Sequence, residues 1–156
     1  KPGVVEQLVA EGNMLVLKWA FENGCPRGSN ICKKAAKHGR LPVLKLVHGH
    51  GCAFDDLVCM CAASHGNLDC LRWARENGCE WKKEVCEWAA LNGHLDCLQW
   101  ARENGCMWSK LVCLYAAGNG HINCLSWAVK NGNPWEKQLC LFVAHNQEIK
   151  DWILAN

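Results

Sequence analysis

"AALNGHLDCLQWARENGC" (residues 89–106) decides the fold, because most of it occurs twice. Residues 66–81 read "GNLDCLRWARENGCEW", and the shared letters lie 27 positions apart. The same interval separates Gly12, Gly39, Gly66, Gly93 and Gly120, and also Cys32, Cys59, Cys86, Cys113 and Cys140. Cys25, Cys52, Cys79 and Cys106 form another series, as do Val16, Val43, Cys70, Cys97 and Cys124. Two aromatic series follow the same spacing: Trp19, Leu46, Trp73, Trp100 and Trp127, and Phe54, Trp81, Trp108 and Trp135. A period this strict over five units, with a sixth begun, is the signature of a solenoid. It predicts a single repeat domain over 1–156, with units at about 5–31, 32–58, 59–85, 86–112, 113–139 and an incomplete 140–156.

Each unit reads as two short helices. The first starts at a capping residue such as Ser109 or Asp55. In the unit around 109–118, Val112, Cys113, Ala116 and Ala117 fall on one face at helical spacing and are expected inside. The Ala-Ala pair leaves little side chain between neighbouring helices, so they can approach closely. Asn119-Gly120 makes a tight turn, because Gly is free to take positive φ. The second helix is expected to carry Ile122, Cys124, Leu125, Trp127 and Ala128 inward and to stop at Asn131-Gly132. A short extended piece containing Trp135 leads onward, and no stretch reads as a strand.

With its AA-x-x-GH turn, apolar second helix and glycine at the helix end, residues 89–106 resemble the ankyrin repeat, and the resemblance covers essentially the whole chain. It implies an all-α solenoid of helix–turn–helix units, with the first helices lining a concave side. Ankyrin units run about 33 residues, so these are shorter. The missing residues fall between Trp108 and Cys113, where the family's β-hairpin finger would lie; no such fingers are expected. Trp100-Ala101 stands where the family usually has two leucines, an exchange of similar total volume. The pattern looks like the short, Trp- and Cys-rich ankyrin-like repeats of large protist and giant-virus gene families.

The rest of the composition mainly excludes. With 156 residues, half of them apolar and 21% charged, the chain is long enough for a continuous core. A formal net charge of +2 gives no polyelectrolyte signal for nucleic acid or anionic membranes. No apolar run approaches the roughly 20 residues of a membrane-spanning helix. Lys1-Pro2-Gly3 leads directly into a helical pattern with no signal-peptide features, and the lack of an initiator Met points to a processed chain or a piece of a longer one. Thirteen cysteines, an odd number with no CxxC, argue for free thiols in a reducing intracellular compartment: cytoplasm, nucleus or an organelle interior.

Those thiols read as packing residues. Twelve occupy repeat slots that elsewhere hold Val16, Val43 or Asn133, and a zinc ligand does not interchange with valine. Cys61 differs, since its slot holds Gln7, Lys34, Trp88, Tyr115 and Phe142 in other units; it is predicted to face solvent and to be the most reactive thiol. "HGHGC" (48–52) groups His48, His50 and Cys52 like metal ligands but lacks a fourth donor, so no metal or other cofactor is assigned. His94 and His121 follow the turn glycine, where Arg40 and Asn67 stand in other units; a turn-bracing hydrogen bond is the expected role. No nucleophile–base pair, phosphate-binding glycine loop or paired carboxylates appear, so neither an enzyme nor a small-molecule substrate is predicted.

Function is then expected in slots that are exposed and vary between units: the first, second and fifth residues after the first-helix cysteine. Along the chain these read Glu6, Gln7, Ala10; Lys33, Lys34, Lys37; Met60, Cys61, Ser64; Glu87, Trp88, Leu91; Leu114, Tyr115, Gly118; and Leu141, Phe142, His145. Unit two is basic, helped by Arg40 and Lys45, whereas units four to six are apolar. Trp88, Tyr115 and Phe142 form a ladder that marks a protein-binding face, with Leu91, Leu114 and Leu141 beside it and Lys33, Lys34 and Lys37 as a basic neighbour. The predicted function is a non-catalytic scaffold for a protein partner. A structural linker subunit of a larger complex is the alternative, and a nucleic-acid-binding repeat is disfavoured by the low charge. Unit six, with Gln147 in the glycine slot and Asp151 in the cysteine slot, reads as a polar or truncated end. Unit one has no capping element ahead of it, so further repeats or another domain are expected upstream.

Overall fold

The computed structural model describes residues 4–25 and 30–156, so Lys1-Pro2-Gly3 lie outside the described residues. It divides into two compact units, Lys1–Trp81 and Lys82–Asn156. The N-terminal unit contains three helix pairs: α1 (Val4–Glu11) with α2 (Met14–Glu22), α3 (Ile31–Lys37) with α4 (Leu41–Gly49), and α5 (Leu57–Ser64) with α6 (Leu68–Glu76). The C-terminal unit has three more: α7 (Glu84–Leu91) with α8 (Leu95–Glu103), α9 (Leu111–Gly118) with α10 (Ile122–Lys130), and α11 (Lys137–Val143) with α12 (Gln147–Ala155). No strand occurs among the described residues.

Helix ends follow the chemistry of the repeat. Asp55 and Ser109 accept the backbone N–H groups of Leu57 and Leu111, two residues on, at 3.2 and 3.1 Å. Helix α7 ends in a Schellman arrangement: the His94 N–H returns to the Ala89 carbonyl at 2.9 Å and the Gly93 N–H to Ala90 at 3.3 Å. Gly93 takes φ +75 there, a conformation that costs a Cβ-bearing residue. At the second-helix ends an asparagine adds its side chain, as Asn104 donates Nδ2 to the Trp100 carbonyl at 2.8 Å.

First helices pack on first helices: α3 on α1 and α5 in one unit, α9 on α7 and α11 in the other. The Ala-Ala pairs make this approach possible, and Ala35, Ala36, Ala62, Ala63, Ala89, Ala90, Ala116 and Ala117 are all fully buried. On the second helices the least variable core position is a leucine: Leu17, Leu44, Leu71, Leu98 and Leu125, each 0% exposed. Each such leucine stabilises by about 1.5–3 kcal/mol relative to exposure. Beside it Cys70, Cys97 and Cys124 are buried as expected, but Val16 in the same slot is 40% exposed. In the N-terminal unit each second helix packs on the one before it, as α4 on α2, and no described helix precedes α2 in that way.

The tryptophans expected inside are not core residues. Trp73, Trp100 and Trp127 are half-buried and Trp19 is exposed. Two of these rings, Trp73 and Trp127, instead meet the aromatic residue of the preceding loop, as Trp152 does in the last repeat. Trp127 lies edge-on to Trp108 at 5.7 Å, Trp73 edge-on to Phe54 at 5.8 Å, and Trp152 tilts against Trp135 at 6.2 Å. Arg102 covers the Trp108 ring at 4.5 Å and reaches the Cys106 carbonyl at 3.4 Å; Arg75 does the same for Trp81 and Cys79. The "WAREN-G-C-x-W" stretch is thus a clamp that fixes the loop to its own helix.

The last repeat is not polar inside. Its first helix ends early, at Val143, three residues past Cys140, where α9 runs to Gly118, five past Cys113, so the strict period assigns the wrong residues to the core. Ile149 and Ile153 are fully buried, Trp152 meets the loop aromatic, and Asn156 donates Nδ2 to the Trp152 carbonyl at 2.9 Å as Asn131 does to Trp127. Asp151 and Gln147 are exposed on α12, with the Gln147 amide donating to Asp151 at 2.8 Å.

Candidate protein-binding surface

Trp88, Tyr115 and Phe142 occupy the same position on α7, α9 and α11, three helices packed in series within the C-terminal unit. Phe142 is 84% exposed, Trp88 is 41% exposed and Tyr115 is half-buried. Leu91, Leu114 and Leu141 are half-buried on the same three helices. Leu114 lines a pocket of about 40 Å³ with Leu111, Leu139 and Cys140, and the Lys110–Glu136 ion pair stands at its rim.

The first slot after the cysteine is less open than expected. Glu87 is buried, and its carboxylate accepts the Ser109 hydroxyl at 2.7 Å, which ties α7 to the start of the next repeat. Lys33, in the same slot, is half-buried and ion-paired with Asp55 at 3.2 Å. Lys34 is half-buried and Lys37 exposed, both on α3. The basic residues therefore lie in the N-terminal unit and the aromatic ladder in the C-terminal unit.

Cys61 is half-buried rather than fully open, and burial raises its thiol pKa, offset in part by Lys33 and Lys37. Low-pKa reactivity is therefore not its property. Cys25 and Cys52 are half-buried as well, while the other ten thiols are buried. Timed alkylation of the native protein with peptide mapping is expected to label Cys25, Cys52 and Cys61 at least about tenfold faster than Cys59, Cys86 or Cys113. Prompt labelling of Cys86 would contradict the packing of α7.

The thiol slots carry a hydrogen-bonding task that spacing alone does not reveal. Cys79 and Cys106 donate to the carbonyls of Asp55 and Lys82, 24 residues back, at 3.6 and 3.3 Å. Asn133 replaces cysteine in this slot and does the same, donating Nδ2 to the Ser109 carbonyl at 3.1 Å. The Cys113 thiol donates to Asn133 Oδ1 at 3.1 Å, where Cys86 meets Cys106 and Cys59 meets Cys79 in other repeats. Within "HGHGC", His48 Nδ1 faces the Cys52 carbonyl at 3.1 Å and its ring stacks on Phe54 at 4.1 Å; His50 Nδ1 faces the Leu46 carbonyl at 2.9 Å. These imidazoles close the helix end and support the loop.

The residue after the turn glycine reaches beyond its own turn. His121 Nε2 meets the Leu91 carbonyl at 3.1 Å, Asn67 donates Nδ2 to Ala36 and Lys37 at 2.7 and 2.8 Å, and Arg40 donates Nε to Ala10 at 3.2 Å. Three different side chains thus satisfy carbonyls at the C-terminus of the preceding first helix. These bonds join successive repeats and do not brace a single turn.

Residues 59–102 match the family model described as ankyrin repeats in many copies. No curated protein sequence matches the chain. Among solved structures, the ankyrin repeat domain of human ASB11 is similar at a TM-score of 0.78 and 16% identity, over 97% of this chain and 82% of that one. No helix among the described residues is long and apolar enough to cross a membrane. Residues 59–102 thus match ankyrin repeats, and the chain shares the all-α helical-repeat fold of an ankyrin repeat domain, built here from short Trp- and Cys-rich units.

Proposed function

We propose that the protein is a non-catalytic scaffold that holds a protein partner on the face formed by α7, α9 and α11. Ankyrin repeats are in general protein-interaction modules. What supports this particular face is the exposure of Trp88 and Phe142 in a slot that the repeat core leaves free to vary. An exposed tryptophan and phenylalanine with a half-buried tyrosine between them have the composition of a binding hot spot. The basic residues Lys33, Lys34 and Lys37 favour a partner that also carries acidic side chains. Thirteen thiols, none in a disulfide, fit a reducing compartment.

Affinity capture from cell extract, run in parallel with wild type and Trp88→Ala, tests the reading. The partner's recovery is expected to fall at least about tenfold with Trp88→Ala and with Phe142→Ala, while stability changes by no more than about 0.5 kcal/mol, as for exposed positions. A melting transition that collapses in Trp88→Ala would place the ring in the core instead. Capture that vanishes steeply with added salt and is replaced by nucleic acid would favour the nucleic-acid reading.

A further inference from the structure

One edge of the N-terminal unit collects positive charge. Lys34 and Lys37 lie on α3, His38 is its C-cap, Arg40 follows the turn, and His65 is the C-cap of α5. Lys37, His38, Arg40 and His65 are exposed. Arg40 is fixed there because its Nε holds the Ala10 carbonyl of α1 at 3.2 Å. The His65 ring is fixed by its Nδ1 contact with the Cys61 carbonyl at 3.0 Å. His38 titrates below its ordinary value, first through desolvation and then through Lys37, Arg40, His65 and Lys34, all of them cationic or able to become so. The carboxylates on the neighbouring elements are engaged or line an adjacent cleft. Asp55 pairs with Lys33, Glu11 on α1 accepts from Gln7 at 2.9 Å, and Asp69 on α6 lines a cleft of about 240 Å³ with Gly39, Gly66 and Asn67. Glu6 precedes Gln7 on α1 and is half-buried.

We propose that this edge is a site for a short acidic segment of a protein partner, and that His38 takes up a proton when the segment binds. The proposal rests on the reading of the chain as a protein-binding scaffold but concerns the other compact unit. Carboxylates placed among Lys34, Lys37, Arg40 and His65 would offset the repulsion that now opposes a charge on His38. By linkage, a ligand that favours the imidazolium binds more tightly as pH falls through the imidazole range. The patch spans two repeats and is flanked by Glu11, Asp55 and Asp69, so it suits a few carboxylates better than a continuous phosphate backbone.

The test uses the full chain and a fluorescent 12-residue peptide rich in Glu and Asp, titrated at constant ionic strength from pH 8.0 to 5.5. Affinity is expected to rise at least fivefold over that range. Histidine NMR titration is expected to show the His38 midpoint moving upward on saturation. His38→Gln should reduce the pH dependence and His38→Gln with His65→Gln should flatten it, Lys37→Ala should weaken binding at every pH, and Lys130→Ala on α10 should change nothing. Affinity indifferent to pH or to Lys37→Ala overturns the proposal, as does tighter binding of a single-stranded oligonucleotide of equal charge. Failure of the peptide together with loss of partner capture in Trp88→Ala removes this site and leaves the aromatic face standing.

Discussion

Raising the pH from 8 to 10.5 in a phosphine reductant is expected to unfold the chain, through its buried thiols. Burial pushes Cys70 and Cys124 up to about 11, with smaller contributions from Asp69 and Asp96, and pushes Cys113 up to about 12, all from an ordinary value of 9.0. Cys32, Cys86 and Cys140 move upward as well, while Cys79, bonded to Cys59, moves down. Below pH 9 a raised thiol is protonated in both states, so its contribution to stability is fully present. Between the unfolded and folded values the unfolded chain releases a proton that the native chain keeps, and that stability is progressively lost. Each such thiol then removes about 1.4 kcal/mol per pH unit, and Cys70, Cys113 and Cys124 together about 4 kcal/mol. A domain stable by about 5–15 kcal/mol cannot sustain that slope for long. Urea melts at half-unit steps from pH 8 should be flat at first and then fall steeply. The double variant Cys70→Val, Cys124→Val, using the residue that Val43 already supplies in this slot, should lower the slope by about 2.7 kcal/mol per unit. An unchanged slope would mean that the thiols are hydrated or already ionised in the native state.

The second large effect concerns two glycines with similar backbone and different surroundings. Gly93 has φ +75 and Gly105 has φ +84. A Cβ on Gly105 would meet nothing within 4 Å, whereas a Cβ on Gly93 would stand 2.5 Å from His121 Nδ1. Gly105→Ala therefore carries only the left-handed backbone cost, about 1 kcal/mol. Gly93→Ala adds displacement of the His121 ring and loss of its contact with the Leu91 carbonyl, for a total of about 2–3 kcal/mol. Removing the ring should relieve the clash. In a double-mutant cycle, Gly93→Ala with His121→Ala is expected to cost at least about 1 kcal/mol less than the two single changes added. Additive costs would show that the ring does not occupy the space above Gly93.

The periodic residues made the architecture legible. Equal spacing of Gly12 to Gly120 marks equivalent turns, and the Ala-Ala pairs mark the close faces, because both requirements recur in every repeat. What spacing does not carry is the identity of the neighbour that covers each slot. Val43 and Val16 share a slot, yet one is buried and the other exposed: α4 packs on α2, and no described helix precedes α2 in that way. Glu87 looked exposed by its place on the helical wheel but is buried by a contact with Ser109, 22 residues away. Trp127 looked like core by its apolar character, but its size suits a half-buried position against Trp108. A fixed interval also misassigns a repeat whose first helix ends early, which is how Ile149 and Ile153 escaped notice. The Trp88, Tyr115 and Phe142 series was legible for the opposite reason: a slot that changes in every repeat is one the core does not dictate.

The bonds made by Arg40, Asn67 and His121 have a consequence for how such a gene can grow. Their acceptors are main-chain carbonyls of Ala10, Ala36, Lys37 and Leu91, atoms that exist whatever side chains the preceding repeat carries. A copied or transplanted repeat therefore finds its acceptor waiting on any predecessor that keeps its turn glycine, over which the Asn67 and His121 side chains lie. Lengthening by unequal crossing-over is then tolerated at the moment it occurs, and selection acts afterwards on the free positions alone.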